Sequence, residues 1–460
     1  MHHHDLLIIG SGSGNSIVDD RFADLDVAIV DEGTFGGTCL NVGCIPTKMF
    51  VHTADLAAGT RQSARFGVDS HVDKVRWRDI RDRIFDRIDP ISADGERYRR
   101  ESSYVTFYGE HVAFTGHKQL ELASGQVLTA DRIVIAAGSR PVIPDIAGLA
   151  ETPFHTTDTI MRIDDMPASL VILGGGVIAA EMAHVFSALG IDVTVVARSS
   201  RLLMAEDRDI STRFTQLAQA RWDVRLSTRV LKAEADGSST RLSLVDRGGL
   251  GDRGVIDAEM VLVATGRRPN SDLLDVGAAG VTTHPDGRIV VDSQQQTVVP
   301  GIWALGDVSS NDQLKHVANH EARVVQHNLL HPDSPVAADH RFVPRAIFTS
   351  PQIAAVGRTE DELLSEGTPY ITGMEGYRDI AYGWAMEDTT GFAKVIADPA
   401  SGQLLGAHII GPQASSVIQP LIQAMSFGLP ADEMARGQYW IHPAMPEVVE
   451  NALLKLPYSG

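Results

Sequence analysis

Only two cysteines occur in 460 residues, Cys39 and Cys44. That scarcity excludes a secreted domain stapled by disulfides. Both sit in one short stretch, so they cannot tie distant elements together. Long apolar runs are missing as well, and none reaches the ~20 residues that a membrane-crossing helix needs. The start, Met1-His2-His3-His4-Asp5, lacks the layout of a signal peptide, because the apolar stretch behind it is short and no cleavage site follows. The three histidines, native or added, are set aside. Positive charge is in deficit: 40 Lys and Arg against 59 Asp and Glu leave a net charge of −19. Such a surface repels nucleic-acid phosphates and anionic lipids, so neither nucleic acid nor membrane is an expected partner. No low-complexity linker interrupts the chain, and its parts are expected to pack tightly. What is present is ordinary for a globular protein: 43% hydrophobic and 22% charged residues, at a length that suits two to four domains. The expected location is the reducing cytoplasm, where a close cysteine pair is catalytic, redox-sensing or metal-binding.

The chain repeats itself. Leu6–Gly10 is an apolar run entering a glycine turn, and Val27–Val30 is a second strand-like run ending in Asp31. This reads as strand, turn, helix, strand. Leu170–Leu173 enters Gly174-Gly175-Gly176 in the same way; a helical stretch and the run Val193–Val196 follow. The closures match too. Ala136-Ala137-Gly138-Ser139-Arg140-Pro141 ends the first unit and Ala264-Thr265-Gly266-Arg267-Arg268-Pro269 the second. Two such units suggest a duplicated dinucleotide-binding domain. A third apolar run then ends in Gly306-Asp307, and from about Phe342 the texture becomes β-rich with helical segments and no glycine turn.

In Gly10-Ser11-Gly12-Ser13-Gly14-Asn15, Gly10 permits the tight turn and Gly12 lets the backbone approach a pyrophosphate at a helix N-terminus. A glycine turn alone is equally a structural turn. Asp31, about 20 residues on, is placed for ribose hydroxyls. Asn15 replaces the third glycine and is expected to loosen helix–strand packing. In the second turn the small third residue is Ala179, and the following strand ends in Ala197-Arg198 rather than in an acid. A carboxylate there would repel the 2′-phosphate of NADPH; Arg198, helped by Arg201, would attract it. The plainer alternative is a solvated arginine pair. Gly36-Gly37-Thr38-Cys39-x4-Cys44 is the most informative segment. Zinc needs about four ligands, and no other cysteine exists. Inert buried thiols would leave the spacing behind a dinucleotide turn unexplained, whereas a disulfide that opens and closes accounts for it. Near the C-terminus, His442-Pro443-Ala444-Met445-Pro446-Glu447 offers an imidazole and a carboxylate to fix its tautomer.

Together these motifs, in this order and over essentially the whole chain, resemble the pyridine nucleotide–disulfide oxidoreductase family, which includes glutathione reductase and lipoamide dehydrogenase. Gly-Gly-Thr-Cys-x4-Cys with a distal His-Pro-x3-Glu is the specific part. Four stretches mark one branch of it: Gly-Ser-Gly-Ser-Gly-Asn (10–15), Gly-Thr-Phe-Gly-Gly-Thr-Cys (33–39), Pro-Thr-Lys-Met-Phe (46–50) and His-Pro-Ala-Met-Pro-Glu (442–447). The resemblance implies an α/β fold with two Rossmann-like domains, for FAD and NADPH, and an α+β C-terminal dimerisation domain. The implied limits are 1–150 for FAD, 151–268 for NADPH, 269–335 for a central segment completing the FAD domain and 336–460 for dimerisation.

The resemblance also implies roles. Gly10, Gly12, Gly14 and Asp31 would hold the FAD pyrophosphate and ribose, with Gly37, Thr38 and Lys48 along the flavin. His111 would meet adenine through its backbone, and Gly138, Gly306 and Asp307 would complete the site. Gly174, Gly176, Glu181, Arg198, Arg201 and Gly266 would line the NADPH site, Glu181 pairing with Lys48. Cys44 would be the thiol beside the flavin and Cys39 the one that meets a small disulfide substrate. His442 and Glu447 would reach the other subunit of a homodimer. Val177 stands where glutathione reductase has a tyrosine lid. Large thioredoxin reductases and mercuric reductases need further redox cysteines, absent here. Lipoamide dehydrogenase, which would prefer NAD and serve a larger complex, and glutathione reductase compete within the family. An assembly partner keeping the pair as a relic competes from outside it; an intact His442 and Glu447 argue against that.

Overall fold

The computed structural model describes residues 1–237 and 239–457. Its first sheet is built on His2–Ile9, whose end Leu6-Leu7-Ile8-Ile9 is buried on both faces, as a continuous apolar run in a parallel sheet should be. This strand lies parallel to Val27–Val30 on one side and Val127–Ile135 on the other. Val105–Tyr108 extends the sheet beyond Val27–Val30, and Ile302–Ala304 returns from far along the chain to lie beside Val127–Ile135. The histidines set aside above belong to this first strand: His2 is in register with Leu128 and His4 with Ala130. His4 is fully buried, its Nδ1 2.9 Å from Asp26 Oδ1 and its Nε2 3.1 Å from the Tyr108 hydroxyl.

The second unit repeats the plan on a smaller scale. Four parallel strands run in the order Asp223–Arg225, Asp192–Val196, Ser169–Leu173, Met260–Val263. Helix Val177–Ala188 packs Ala179, Ala180 and Ala183 against one face. A three-stranded antiparallel sheet covers the other face through Leu242 and Leu244.

The two glycine turns lead into different structures. The second starts a helix at Val177, as expected. The first runs into two short 3-10 turns, Gly14–Ile17 and Asp20–Phe22, where the sequence reading expected a helix. The cause comes from helix Trp77–Glu101. Arg99 donates to the Asn15 and Val18 carbonyls, both at 2.8 Å, and to Asn15 Oδ1 at 2.6 Å. Those carbonyls are then lost to the amides four residues ahead that an α-helix requires. Asp19 also caps the next turn by accepting the Arg21 amide at 3.0 Å. The close approach falls on Gly14, where a Cβ would stand 2.7 Å from Ala136 Cβ.

The third sheet is antiparallel, in the order Pro344–Ile347, Gln352–Gly357, Leu404–Gly411, Phe392–Ala397, Ile371–Gly376. Helices that include Gln419–Phe427 and Glu447–Leu454 bury Leu421, Val448 and Ala452 in its core. Its strand Phe392–Ala397 is buried throughout and carries a lysine. Lys394 Nζ donates to Asp207 Oδ1 at 2.8 Å, Asp209 Oδ2 at 2.6 Å and Glu360. Asp207 caps helix Arg208–Gln219, so the knot pins the second unit to the C-terminal sheet. Lys394→Met would strand a fully buried carboxylate. Removing one partner of such a pair costs about 3–5 kcal/mol. A clearly lower thermal unfolding midpoint is expected; an unchanged one would show that the knot contributes nothing net.

Candidate active site

Both glycine turns cross the neighbouring strand at atomic contact. Gly10 has φ +108°, and a Cβ on it would lie 2.3 Å from the Ala136 carbonyl oxygen. Gly174 has φ +140°, and its Cβ would lie 2.2 Å from that of Ala264. No other residue fits either position. Asp31 stands at the end of its strand, each carboxylate oxygen holding an amide: Ser11 N–H at 2.6 Å and Gly33 N–H at 2.8 Å. Gly12 backs onto Gly37, whose added Cβ would meet Gly12 Cα at 2.8 Å. The first turn and the cysteine segment therefore touch.

Cys39 lies in the short helix Gly37–Asn41, and Cys44 opens helix Cys44–Gln62. Gly43 folds the link back so closely that its Cβ would lie 2.9 Å from the Thr38 carbonyl oxygen. The two thiols come within hydrogen-bonding reach. The hydrogen bond from Cys44 draws the Cys39 thiol down to about 7, with the charge of Lys315 assisting against the cost of burial. Cys44, as the donor, is pushed up. A pair that shares one proton in this way holds a thiolate more readily than a lone thiol does, which suits exchange with a disulfide. Lys315 begins helix Lys315–Leu330, and its Nζ donates to Ser13 Oγ at 2.8 Å, in the first glycine turn. Neither Lys315 nor Ser13 was singled out from the sequence.

Lys48 lies one helical turn after Cys44, on the same face. Its ammonium stands over the Phe348 ring, 3.9 Å from the centroid. Glu181 accepts the Phe348 amide at 2.8 Å, and burial pushes its carboxyl up to about 7. Among the described residues no ion pair closes between Lys48 and Glu181, so the implied pairing is a near neighbourhood rather than a contact. Asp307 Oδ2 accepts the Ser139 hydroxyl at 2.6 Å, and Arg267 Nε donates to that hydroxyl at 2.8 Å. Gly306 N–H is held by Glu321. The His111 ring bonds Glu32 Oε1 at 3.0 Å and the Leu273 carbonyl at 3.1 Å, and its own carbonyl accepts the Ala123 amide. Arg198 is exposed at the end of strand Asp192–Val196, while Arg201 is half-buried with Nε 3.3 Å from Ser211 Oγ.

His442 and Glu447 do meet: His442 Nδ1 lies 2.6 Å from Glu447 Oε1, and Glu447 Oε2 accepts the Ala444 amide at 3.2 Å. The His442–Pro443 peptide is cis. Among the described residues no hydrogen bond links His442 to either cysteine. Its side chain is 70% exposed, beside the exposed Tyr439 and Ile441.

The arrangement suits two dinucleotides. At Gly138, Gly176 and Gly266 an added Cβ would meet nothing within 4 Å, so space is open beside these backbones. Residues 4–322 match the family model of pyridine nucleotide-disulphide oxidoreductases, and residues 343–453 match that of their dimerisation domain. The chain belongs to this family.

As a family member it is an FAD- and pyridine nucleotide-dependent disulfide reductase with a dimerisation domain. It is 54% identical to mycothione reductase of Mycobacterium tuberculosis (strain ATCC 25618 / H37Rv), over 99% of this chain and 100% of that one. Against dihydrolipoyl dehydrogenase of Chlamydia muridarum the identity is 31%, over 98% and 96%. Among solved structures it resembles the HOCl-induced flavoprotein disulfide reductase RclA from Escherichia coli. There the TM-score is 0.85 and the identity 26%, over 98% of this chain and 99% of that one. No helix of the described residues is long and apolar enough to cross a membrane.

Proposed function

We propose that this enzyme reduces mycothione, the disulfide of mycothiol, with NADPH, as a cytoplasmic homodimer. The observation that carries the substrate is the 54% identity to a mycothione reductase over the full length of both chains. In this reading Gly10, Gly12, Gly14, Asp31, Gly37, Thr38, Lys48, His111, Gly138, Gly306 and Asp307 hold FAD. Gly174, Gly176, Glu181, Arg198, Arg201 and Gly266 hold NADPH.

FAD and NADPH, held by these residues, would supply the two electrons needed to reduce the Cys39–Cys44 disulfide to a dithiol. Cys39 then attacks one sulfur of the substrate as a thiolate, forming a mixed disulfide and expelling one thiolate. His442 Nε2, its tautomer fixed by Glu447 on Nδ1, protonates that leaving group. Cys44 attacks the Cys39 sulfur, which releases the second thiol and restores the internal disulfide. The exposure of His442 supports its action on the partner subunit's cysteines rather than on its own.

A panel of mycothiol, glutathione and lipoamide disulfides, each with NADPH and NADH, tests the substrate. Strong preference for the mycothiol disulfide with NADPH is expected; equal or faster turnover of lipoamide with NADH would replace this reading by lipoamide dehydrogenase. Arg198→Gln tests the coenzyme. A hydrogen bond to a charged group is worth about 1.5–3 kcal/mol, so kcat/KM for NADPH should fall about tenfold or more, with little change for NADH. Parallel losses with both coenzymes would remove Arg198 from the phosphate site.

A further inference from the structure

Behind the Gly306-Asp307 turn lies a polar pair that disulfide exchange does not use. Glu321, on helix Lys315–Leu330, is 1% exposed. Its Oε2 accepts the Gly306 N–H at 2.7 Å, at the residue that opens the turn. Its Oε1 lies 2.9 Å from His340 Nε2. The His340 side chain is 36% exposed and borders a hollow lined by His316, His320, Asp339, Phe342 and Pro344. The pair therefore runs from the protein surface to the backbone of the turn that carries Asp307.

A buried carboxylate is destabilising unless it is answered by charge and hydrogen bonds. Here the answer is one amide and one imidazole. The neighbouring groups are otherwise engaged. His316 Nε2 meets the Pro344 carbonyl at 2.8 Å, and His320 Nε2 accepts the Asp339 amide at 3.2 Å. Arg341 is tied to Asp339 at 2.8 Å. Asp312 and Asp339 act on His340 through space alone, so Glu321 is the acid it touches.

We propose that Glu321 and His340 are positioning residues for the FAD-binding turn, and that the charge on His340 makes retention of FAD depend on pH. The proposal rests on the reading of Gly306 and Asp307 as cofactor residues. Glu321's hydrogen bond holds the His340 imidazolium above its ordinary range, against the pull of burial. Its contribution is therefore complete below the unfolded value near 6.5 and fades as pH rises through the higher folded value.

The test follows the temperature at which FAD leaves the holoenzyme, read by the rise in flavin fluorescence, from pH 6 to pH 9. In the parent enzyme this temperature should fall with rising pH. In His340→Gln, which can still donate to Glu321 but never carries charge, the fall should be largely abolished. In Glu321→Gln it should be abolished as well, because no carboxylate remains to hold the His340 imidazolium. A parent-sized fall in either variant overturns the proposal. Asp307→Ala separates the two readings: it should retain FAD poorly at every pH. If it binds FAD like the parent, the cofactor reading of the turn fails, and the proposal with it. If it loses FAD while the His340 and Glu321 variants track the parent, only the proposal fails.

Discussion

Cys39→Ser is expected to abolish turnover of the substrate disulfide while NADPH still bleaches the bound FAD. The substitution removes the attacking sulfur but leaves both dinucleotide turns intact. It also frees Cys44 from donating its proton to Cys39, the contact that pushes the Cys44 thiol up. Cys44 should then ionise beside the oxidised cofactor and give a long-wavelength charge-transfer band. Cys44→Ser should give no such band; the opposite pattern would exchange the two roles. In the reduced parent enzyme the thiolate of Cys39 forms as pH rises through about 7, below the 9.0 of an ordinary thiol. Alkylation by iodoacetamide should therefore reach half its limiting rate near neutral pH. A midpoint near 9 would mean that Cys39 gains nothing from Cys44 and Lys315.

His442→Ala should slow disulfide reduction by about 10²–10⁴-fold, the usual worth of a placed general acid. Reduction of FAD by NADPH should be spared, because the imidazole acts only once the dithiol has formed. Glu447→Gln should cost less, since the amide oxygen can still face Nδ1 at the same place. Subunit mixing probes where His442 acts. A heterodimer of one Cys39→Ser and one His442→Ala subunit should regain one working site. Inactive mixtures, with both parent dimers properly folded, would put the two groups in one chain.

The chemistry was legible where it is local. The cysteine pair is separated by four residues and closed by Gly43, and His442 meets Glu447 five residues on. Each glycine turn carries its own signature, because contact between crossing strands admits no side chain. The remainder depends on partners that sequence spacing does not reveal. Lys315 reaches Ser13 across 302 positions, and Lys394 reaches Asp207 across 187. Neither lysine sits in a motif or follows a period, so composition and pattern are silent about both. The helix expected after the first glycine turn failed for the same reason. Arg99 claims the Asn15 and Val18 carbonyls, 84 and 81 positions away, that the helix would have needed. The Lys48–Glu181 contact, implied by resemblance alone, gives way to an amide and an aromatic ring, each supplied by Phe348.

The central claim is that the Cys39–Cys44 pair is a second store of electrons beside FAD. Anaerobic titration of the oxidised holoenzyme with a stoichiometric reductant tests it most directly. Because a disulfide is itself a two-electron couple, the parent enzyme should take up more than two electron equivalents per FAD, and Cys39→Ser only two. Uptake of just two by the parent enzyme would mean that the cysteines exchange no electrons with the cofactor, and would contradict the disulfide mechanism.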